Sequence, residues 1–270
     1  MDYQILALDL DGTLTNSKKE ISAPTLEALI DLQKRGKKVV LASGRPTQGV
    51  LPLADQLQMD RYGGYILSYN GGRIIDCRSR QAVYDKPLPQ GVAGPLFQII
   101  RKYPGLDILA YLETEILSAF CPNQYSNLES FINHMPIIRA DDFPSQVPDK
   151  ANKFLVTGEP DLIREAKKDV TEYFRSYLYI YCSDPFFLEI MPPRIDKAHS
   201  LLRLLTSIGL TADQMICCGD GYNDLTMIET AGLGVAMANA QPQVKAAAKA
   251  LTDSNDEDGV AHALDKWLLG

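Results

Sequence analysis

The chain has 270 residues, of which 46% are hydrophobic and 23% are charged, as in a globular protein with a sizeable core. The formal net charge of −7 and the lack of a long cluster of Lys and Arg disfavour a nucleic-acid binder. No segment reaches the roughly 18 uninterrupted apolar residues that a membrane span needs. At roughly 150 residues per domain, the length fits one large domain or two modest ones.

The amino terminus and the cysteines bear on the cellular compartment. Asp2 lies where a secretory signal peptide would carry basic residues. The five cysteines are odd in number and include no Cys-x-x-Cys pair, so we expect reduced thiols. These features predict a cytoplasmic protein that does not bind a membrane.

The first third of the chain alternates strand and helix patterns. Its strands are predicted at Ile5–Leu10, Lys38–Ala42 and Tyr65–Tyr69. Its helices are predicted from Ser22 to Gly36 and from Thr47 to Leu57. The Asn70-Gly71 pair predicts a hairpin turn into one more strand.

The last third repeats this alternation. The predicted elements are a helix over Asp196–Ile208, a strand over Met215–Cys218, a helix over Asn223–Thr230 and a strand over Leu233–Met237. Strands that alternate with helices indicate an α/β fold with a doubly wound, Rossmann-like parallel sheet.

The middle of the chain has a different pattern. The predicted elements here are a helix near Phe97–Tyr103, strands at Ile108–Leu112 and Ile116–Phe120, then a strand, a helix and a strand over Phe154–Val156, Leu162–Tyr173 and Tyr177–Tyr181. This mixture indicates an α+β insertion within the α/β domain. We therefore expect a discontinuous core of residues 1–83 and 189–270, and an inserted domain of residues 84–188.

Two acids follow the first predicted strand, at Asp9 and Asp11. Residues two apart in a strand point to the same side, and Gly12 allows the chain to turn away. Ligands bind at the carboxyl edge of a parallel sheet, and two acids there repel unless a cation or a shared proton joins them. The pair therefore indicates metal binding or acid–base chemistry, against the alternative of two solvated surface acids.

A second group of oxygen ligands follows the strand at Met215–Cys218. Asp220, Asn223 and Asp224 should reach the same sheet edge, and carboxylate and amide oxygens suit Mg²⁺. The alternative is an acidic turn in which Asn223 or Asp224 only caps the next helix.

Phosphate donors are expected beside these acids. Ser43 and Gly44 end the second strand and offer a hydroxyl and backbone N–H groups near a helix start. Arg45 either contacts substrate or is a solvated or salt-bridging residue, and we expect the second of these. Lys197 begins the helix after the insertion. By itself it is weak evidence for a phosphate site, because most lysines on helices are simply solvated.

These four elements together resemble the haloacid dehalogenase superfamily, specifically its Cof-type phosphatases with a C2-type cap. The resemblance lies in Asp9-Leu10-Asp11-Gly12-Thr13, Ser43, Lys197 and Gly219-Asp220-Gly221-Tyr222-Asn223-Asp224, in that order. The segment Ser68-Tyr69-Asn70-Gly71-Gly72 is also similar to this branch. The insertion at residues 84–188 lies where the branch carries its cap, which selects the substrate.

The resemblance implies a Mg²⁺-dependent phosphatase that acts on a small phosphorylated metabolite such as a sugar phosphate. Asp9 would attack phosphorus and become an aspartyl-phosphate, and Asp11 would serve as general acid and base. The implied metal residues are Asp9, Asp11 through its backbone carbonyl, Asp220 and Asp224. The implied phosphate-binding residues are Ser43, Gly44, Lys197 and Asn223.

One element departs from the family pattern. The branch usually has a small residue before the lysine and Gly after it, whereas Asp196 and Ala198 flank Lys197 here. We expect Asp196 to cap the helix and His199 to be an ordinary helix residue.

Two other functions remain open at this point. A phosphomutase shares the aspartyl-phosphate step but returns the phosphoryl group to sugar, and it would depend on a bisphosphate activator. A receiver-like or phosphometabolite-binding protein would show no turnover, although it has no evident need for Asp11. The sequence leaves the exact substrate and the oligomeric state open.

Overall fold

A computed structural model describes residues 2–269. The chain forms two compact units, one of residues up to Tyr84 together with those from Asp196, the other of Asp85–Ile195. The inserted unit ends later than the predicted residue 188, because the strand Phe187–Met191 pairs within the sheet of that unit. Across residues 2–269 we find no helix with the length and apolarity that a membrane crossing requires.

The elements are numbered in chain order. The strands are β1 (Ile5–Leu8), β2 (Lys38–Ala42), β3 (Tyr65–Ser68), β4 (Arg73–Asp76), β5 (Ala82–Asp85), β6 (Asp107–Tyr111), β7 (Ile116–Ser118), β8 (Ile137–Arg139), β9 (Phe154–Thr157), β10 (Tyr179–Asp184), β11 (Phe187–Met191), β12 (Met215–Gly219), β13 (Leu233–Ala236) and β14 (Ala250–Leu251). The helices are α1 (Ala23–Lys34), α2 (Thr47–Gln56), α3 (Met59–Tyr62), α4 (Ala93–Ile100), α5 (Gln124–Asn133), α6 (Phe143–Gln146), α7 (Pro160–Phe174), α8 (Lys197–Ser207), α9 (Leu225–Thr230), α10 (Pro242–Ala247) and α11 (Gly259–Leu264).

The discontinuous unit is built on an eight-stranded sheet. Its order is β14-β13-β12-β1-β2-β3-β4-β5, and the strands from β14 to β3 run parallel. All four residues of β1 are buried, as expected for a central strand of a parallel sheet. This is the parallel-rich α/β sheet that the sequence predicted, and β12 and β2 are the two neighbours of β1.

The inserted unit has its own six-stranded sheet, ordered β10-β11-β9-β6-β7-β8. Its pairs are antiparallel except β7 with β8. Alternate strand residues such as Ile108, Val156 and Leu188 pack with Leu96 of α4 and Ile163 of α7 in one core. The α+β character predicted for the insertion is therefore present.

Several predicted bounds were displaced for local reasons. The helix expected at Phe97–Tyr103 is α4. Its start could not be predicted from the sequence, because its N-cap residue, Val92, has no side chain that can accept a hydrogen bond. The helix expected from Asn223 begins instead as a 3₁₀ turn over Tyr222–Asp224, with α9 following it. Strand β1 ends at Leu8, so Asp9 and Leu10 already belong to the loop.

Candidate active site

The predicted site residues of three neighbouring strands meet at one edge of the core sheet. Asp9 follows β1, Ser43 follows β2 and Asp220 follows β12. Because these strands are parallel and adjacent in the order β12-β1-β2, their carboxyl ends lie side by side. Asp9 and Ser43 are buried. The edge therefore gathers acids and a hydroxyl in a region largely shielded from water.

Lys197 reaches this edge from the start of α8. Its side chain is fully buried, and Nζ donates to Oδ1 of Asp9 and to Oδ1 of Asp224, each at 2.6 Å. Asp196 caps the helix as predicted, since its Oδ1 accepts from the backbone N–H of His199 at 2.8 Å. The unusual neighbours of Lys197 thus leave it in contact with two of the predicted site acids.

Asp224 connects the lysine to the loop after β12. Its carboxylate is fully buried, and while Oδ1 accepts from Lys197, Oδ2 accepts from the backbone N–H groups of Asp220 at 3.0 Å and Gly221 at 2.9 Å. Both oxygens are therefore engaged by protein donors. This arrangement suits a residue that fixes Lys197 and the loop better than a direct metal ligand.

Asp220 is held by the loop that follows Asp9. Its Oδ1 accepts from the Thr13 hydroxyl at 2.8 Å. Gly12 passes beside it with φ of +88°, and a Cβ at Gly12 would lie 2.5 Å from Oδ2 of Asp220. Only glycine fits this position, because it tolerates the left-handed backbone and leaves room for the carboxylate. Burial, together with the charge of Asp224, raises the pKa of Asp220 to about 6.

The three acids form a cluster with a surplus of negative charge. One ligand oxygen from each of Asp9, Asp220 and Asp224 lies within 4.8 Å of the others. Burial and the neighbouring Asp224 raise the pKa of Asp9 well above its ordinary value. Burial would lower the pKa of Lys197, but Asp224 and Asp9 outweigh it and raise that pKa. One lysine cannot neutralise three ionised carboxylates.

This donor set fits a divalent cation. Among the described residues, Oδ2 of Asp9 and Oδ2 of Asp220 accept no hydrogen bond from the protein. Hard carboxylate oxygens are what Mg²⁺ prefers, and it commonly uses few protein ligands. Asp9 and Asp220 could therefore hold the ion, while Asp224 holds Lys197 and the backbone of Asp220.

The Asp11 side chain is engaged by two cations, Arg45 and Lys19, in the structure. Its carboxylate accepts from Arg45 through Nε at 2.8 Å and Nη2 at 2.5 Å, and from Lys19 Nζ at 2.8 Å. Burial would raise the pKa of Asp11, but Arg45 and Lys19 outweigh it and lower the pKa to about 2. The side chain is therefore ionised and clamped, which leaves only its backbone carbonyl for the predicted metal role.

The predicted phosphate donors lie beside a residue that sequence reasoning did not assign. The Ser43 hydroxyl accepts from the backbone N–H of Arg45 at 3.1 Å. Asn70, in the turn between β3 and β4, lies against Gly44 and accepts from Nδ2 of Asn223 at 3.2 Å. The family resemblance covers its segment, but the sequence predicts no role for Asn70 itself. Arg45 forms a salt bridge with Asp11, which is one of the two alternatives to a substrate contact that the sequence offers for it.

Comparison with known proteins places the whole chain in one family. The family described as haloacid dehalogenase-like hydrolase matches residues 6–264. A crystal structure of a haloacid dehalogenase-like hydrolase from Bacteroides thetaiotaomicron has a TM-score of 0.95 and 45% identity, covering 98% of this chain and 99% of that one.

Two curated relatives carry phosphatase names. A Streptococcus pyogenes protein named as a phosphatase is 31% identical, with 100% of both chains covered. The 5-amino-6-(5-phospho-D-ribitylamino)uracil phosphatase of Bacillus subtilis is 29% identical and covers 100% of this chain and 97% of its own.

Proposed function

The chain belongs to the haloacid dehalogenase-like hydrolase family, and on that premise we propose that it is a Mg²⁺-dependent phosphatase for small phosphate monoesters. A sugar phosphate or a related metabolite is the proposed substrate. The name of the Bacillus subtilis relative, which describes a phosphorylated ribityl compound, supports this class. All five cysteines are free thiols, which supports the proposal that the protein works in the cytoplasm.

The observation that carries the proposal is the charge imbalance around Lys197. Three carboxylates converge within 4.8 Å, two of them on the Nζ of this buried lysine. An anionic nucleophile can approach an anionic phosphate only where fixed positive charge offsets both. When bound at Asp9, Asp220 and the backbone carbonyl of Asp11, Mg²⁺ would supply that charge beside the lysine.

The proposed reaction has two steps. First, a carboxylate oxygen of Asp9 attacks phosphorus, the bond from phosphorus to the leaving oxygen breaks, and Asp11 donates a proton to that oxygen. Second, Asp11 takes a proton from water, whose oxygen attacks phosphorus and breaks the acyl-phosphate bond. Inorganic phosphate leaves and the Asp9 carboxylate is restored. Lys197, Ser43, Gly44 and Asn223 would bind the oxygens of the transferring group.

The clamp on Asp11 adds a requirement to this mechanism. A carboxyl group with a pKa of about 2 is ionised near neutral pH and has no proton to give. The bidentate contact with Arg45 must therefore open before Asp11 can act as an acid. This makes the Arg45 contact a resting arrangement in the proposed cycle.

We also propose that the inserted unit selects among substrates. The core unit by itself contains every charged group assigned to the phosphoryl, so it offers little to distinguish one leaving group from another. Domain closure can supply such contacts and exclude competing water. Substitutions in the inserted unit should then alter kcat/KM for a sugar phosphate more than for acetyl phosphate. Equal losses on both substrates throughout a series of variants would contradict this role.

The central test is release of para-nitrophenol from para-nitrophenyl phosphate with Mg²⁺. We expect release by the wild-type chain and none above background from Asp9→Asn, which is isosteric but cannot form the acyl-phosphate. Asp256→Asn, a change on the exposed surface, is the matched control and should retain activity. No release by the wild-type chain would favour a binding protein, and dependence on a sugar bisphosphate would favour a mutase.

A further inference from the structure

The loop that carries Asp11 is tied to a distant segment by amide side chains. Asn239 lies beyond β13, and its Nδ2 donates to the backbone carbonyl of Gly12 at 2.8 Å. Asn255 lies further along, and its Nδ2 donates to the backbone carbonyl of Thr15 at 2.9 Å. Two carbonyls of the loop between Asp11 and Asn16 are thus fixed by residues more than two hundred positions later.

Asn239 is also linked to the backbone of Asn255. The backbone N–H of Asn255 donates to Oδ1 of Asn239 at 3.1 Å, so the oxygen of Asn239 is used while its nitrogen binds the loop. The backbone N–H of Gln241 donates to the carbonyl of Asp220 at 2.9 Å. The same segment therefore contacts both loops that carry the proposed metal ligands.

The hydrogen bond from Asn239 to Gly12 acts next to the proposed metal ligands. Its peptide lies between Asp11, whose backbone carbonyl is a proposed ligand, and Thr13, whose hydroxyl holds Asp220. A shift of the Gly12 carbonyl would move both neighbours at once. Because metal sites depend on partners that orient their ligands, loss of such a partner typically costs roughly 10–100-fold in metal affinity or activity.

We propose that Asn239 and Asn255 are positioning residues that set the geometry of the Mg²⁺ site by fixing the Gly12 and Thr15 carbonyls. This inference rests on the proposed function. Asn239 is exposed, and within residues 2–269 its side chain hydrogen-bonds only to Gly12 and Asn255, so its burial does not explain its placement. Its two side-chain hydrogen bonds join the loop to Asn255.

The test compares Asn239→Ala, Asn255→Ala and the control Asp256→Asn. Asp256 lies next to Asn255 and also binds the amino-terminal loop, but through Ser17, outside the Gly12–Thr15 stretch. Titration calorimetry with MgCl₂ alone measures metal affinity, and thermal melting measures folding. We expect Mg²⁺ affinity roughly 10–100-fold weaker in Asn239→Ala, a smaller loss in Asn255→Ala and none in Asp256→Asn.

The outcomes separate this inference from the proposed function. If the wild-type chain neither binds Mg²⁺ nor releases phosphate, the proposed function fails. If the wild-type chain does both and Asn239→Ala binds Mg²⁺ equally well, the positioning role is overturned. A lower melting temperature with unchanged affinity would likewise show a merely structural tether. If Asn239→Ala does not fold, Asn255→Ala decides, because it removes only the Thr15 contact.

Discussion

Each unit of the molecule buries a lysine against a carboxylate, but the two lysines lie at different kinds of position in their sheets. In the core unit, Lys197 donates directed hydrogen bonds to Asp9 and Asp224, and Asp220 lies close by. In the inserted unit, Lys153 lies 3.0 Å from Glu189. The first site gathers three acids within 4.8 Å at the carboxyl edge of a parallel sheet, whereas Lys153 precedes β9 and pairs with Glu189 of β11.

The surroundings of Lys153 are those of a structural ion pair. Ser183 donates to the other oxygen of Glu189 at 3.0 Å, and the lysine lies 5.2 Å from the ring centre of Tyr111. Oε2 of Glu189 has no partner in hydrogen-bond geometry despite its short distance to Lys153. Burial of an ion pair alone is therefore a weak indicator of chemistry, and surplus acid at a sheet edge is the stronger one.

The largest expected effect distinguishes the two sites by turnover. Asp9→Asn should lower phosphate release to the uncatalysed level because the amide cannot attack phosphorus. Glu189→Gln, the corresponding change at the second lysine, should leave turnover of para-nitrophenyl phosphate measurable. Steady-state kinetics with Mg²⁺ checks both variants, and activity in Asp9→Asn near that of the wild type would end the covalent assignment.

Metal removal should be nearly as severe. EDTA should abolish activity, Mg²⁺ should restore it and Ca²⁺ should inhibit, since calcium takes more ligands at longer distances. Asp220→Ala should weaken Mg²⁺ binding more than Asp224→Ala, whose carboxylate already serves Lys197 and two loop amides. Metal titrations of both variants measure this order, and full activity in chelator would exclude the chemistry.

Asp11→Asn should slow turnover by about 10²–10⁴-fold, the usual cost of losing a general acid–base group. The loss should be greater for a sugar phosphate than for para-nitrophenyl phosphate, because an alkoxide needs the proton more than a phenolate does. Rates on the two substrates provide the measurement. An equal loss on both would argue against proton donation to the leaving group.

Substitution of either buried lysine should lower the free energy of unfolding. Removing one partner of a buried ion pair typically costs about 3–5 kcal/mol, so Lys197→Met and Lys153→Met should both lower the free energy of unfolding. Adding Glu189→Leu to Lys153→Met should recover part of the loss, since it removes the carboxylate that Lys153→Met leaves without its cation. Urea unfolding checks this, and a double variant no more stable than Lys153→Met would contradict the ion-pair interpretation of Lys153 and Glu189.

The smallest effect concerns the clamp on Asp11. Its pKa is about 2 in the folded chain against an ordinary 3.8, so its ionised form stabilises the fold above the ordinary value. That contribution is lost as pH falls through about 2. Asp11→Asn should therefore lower the free energy of unfolding near neutral pH, by at most about 1 kcal/mol given the partial exposure. Equal destabilisation at low pH would point to another cause.

Much of the core could be predicted because periodic apolar runs and parallel-sheet geometry bring strand ends together. That logic places Asp9, Ser43 and Asp220 on one edge from their positions alone. It could not place the Asp11 side chain, because Arg45 and Lys19 compete for it and only packing decides between partners. Asn239 and Asn255 were missed since asparagine is common in loops, where its side chain has no preferred partner.

The secondary structure of the insertion was harder to predict from the sequence, for a different reason. Helix α5 was missed although Asn123 caps it, with Oδ1 accepting from the backbone N–H groups of Tyr125 and Ser126. Its apolar residues do not form a clear stripe, because Ser126 and Glu129 are buried through hydrogen bonds to Asp107 and Tyr111. A helix that buries polar residues lacks the regular spacing of apolar residues from which a helix is predicted.

The central place of β1 has a consequence for how the protein is made. During synthesis β2 follows β1 closely, but the other neighbour of β1, which is β12, is translated only after the whole insertion. Residues 85–195 are contiguous and contain every strand of their own sheet, so they can assemble while the first sheet still lacks three of its eight strands. Asp9 is thus made before the insertion, whereas Lys197, Asp220 and Asp224 beside it are made after the insertion.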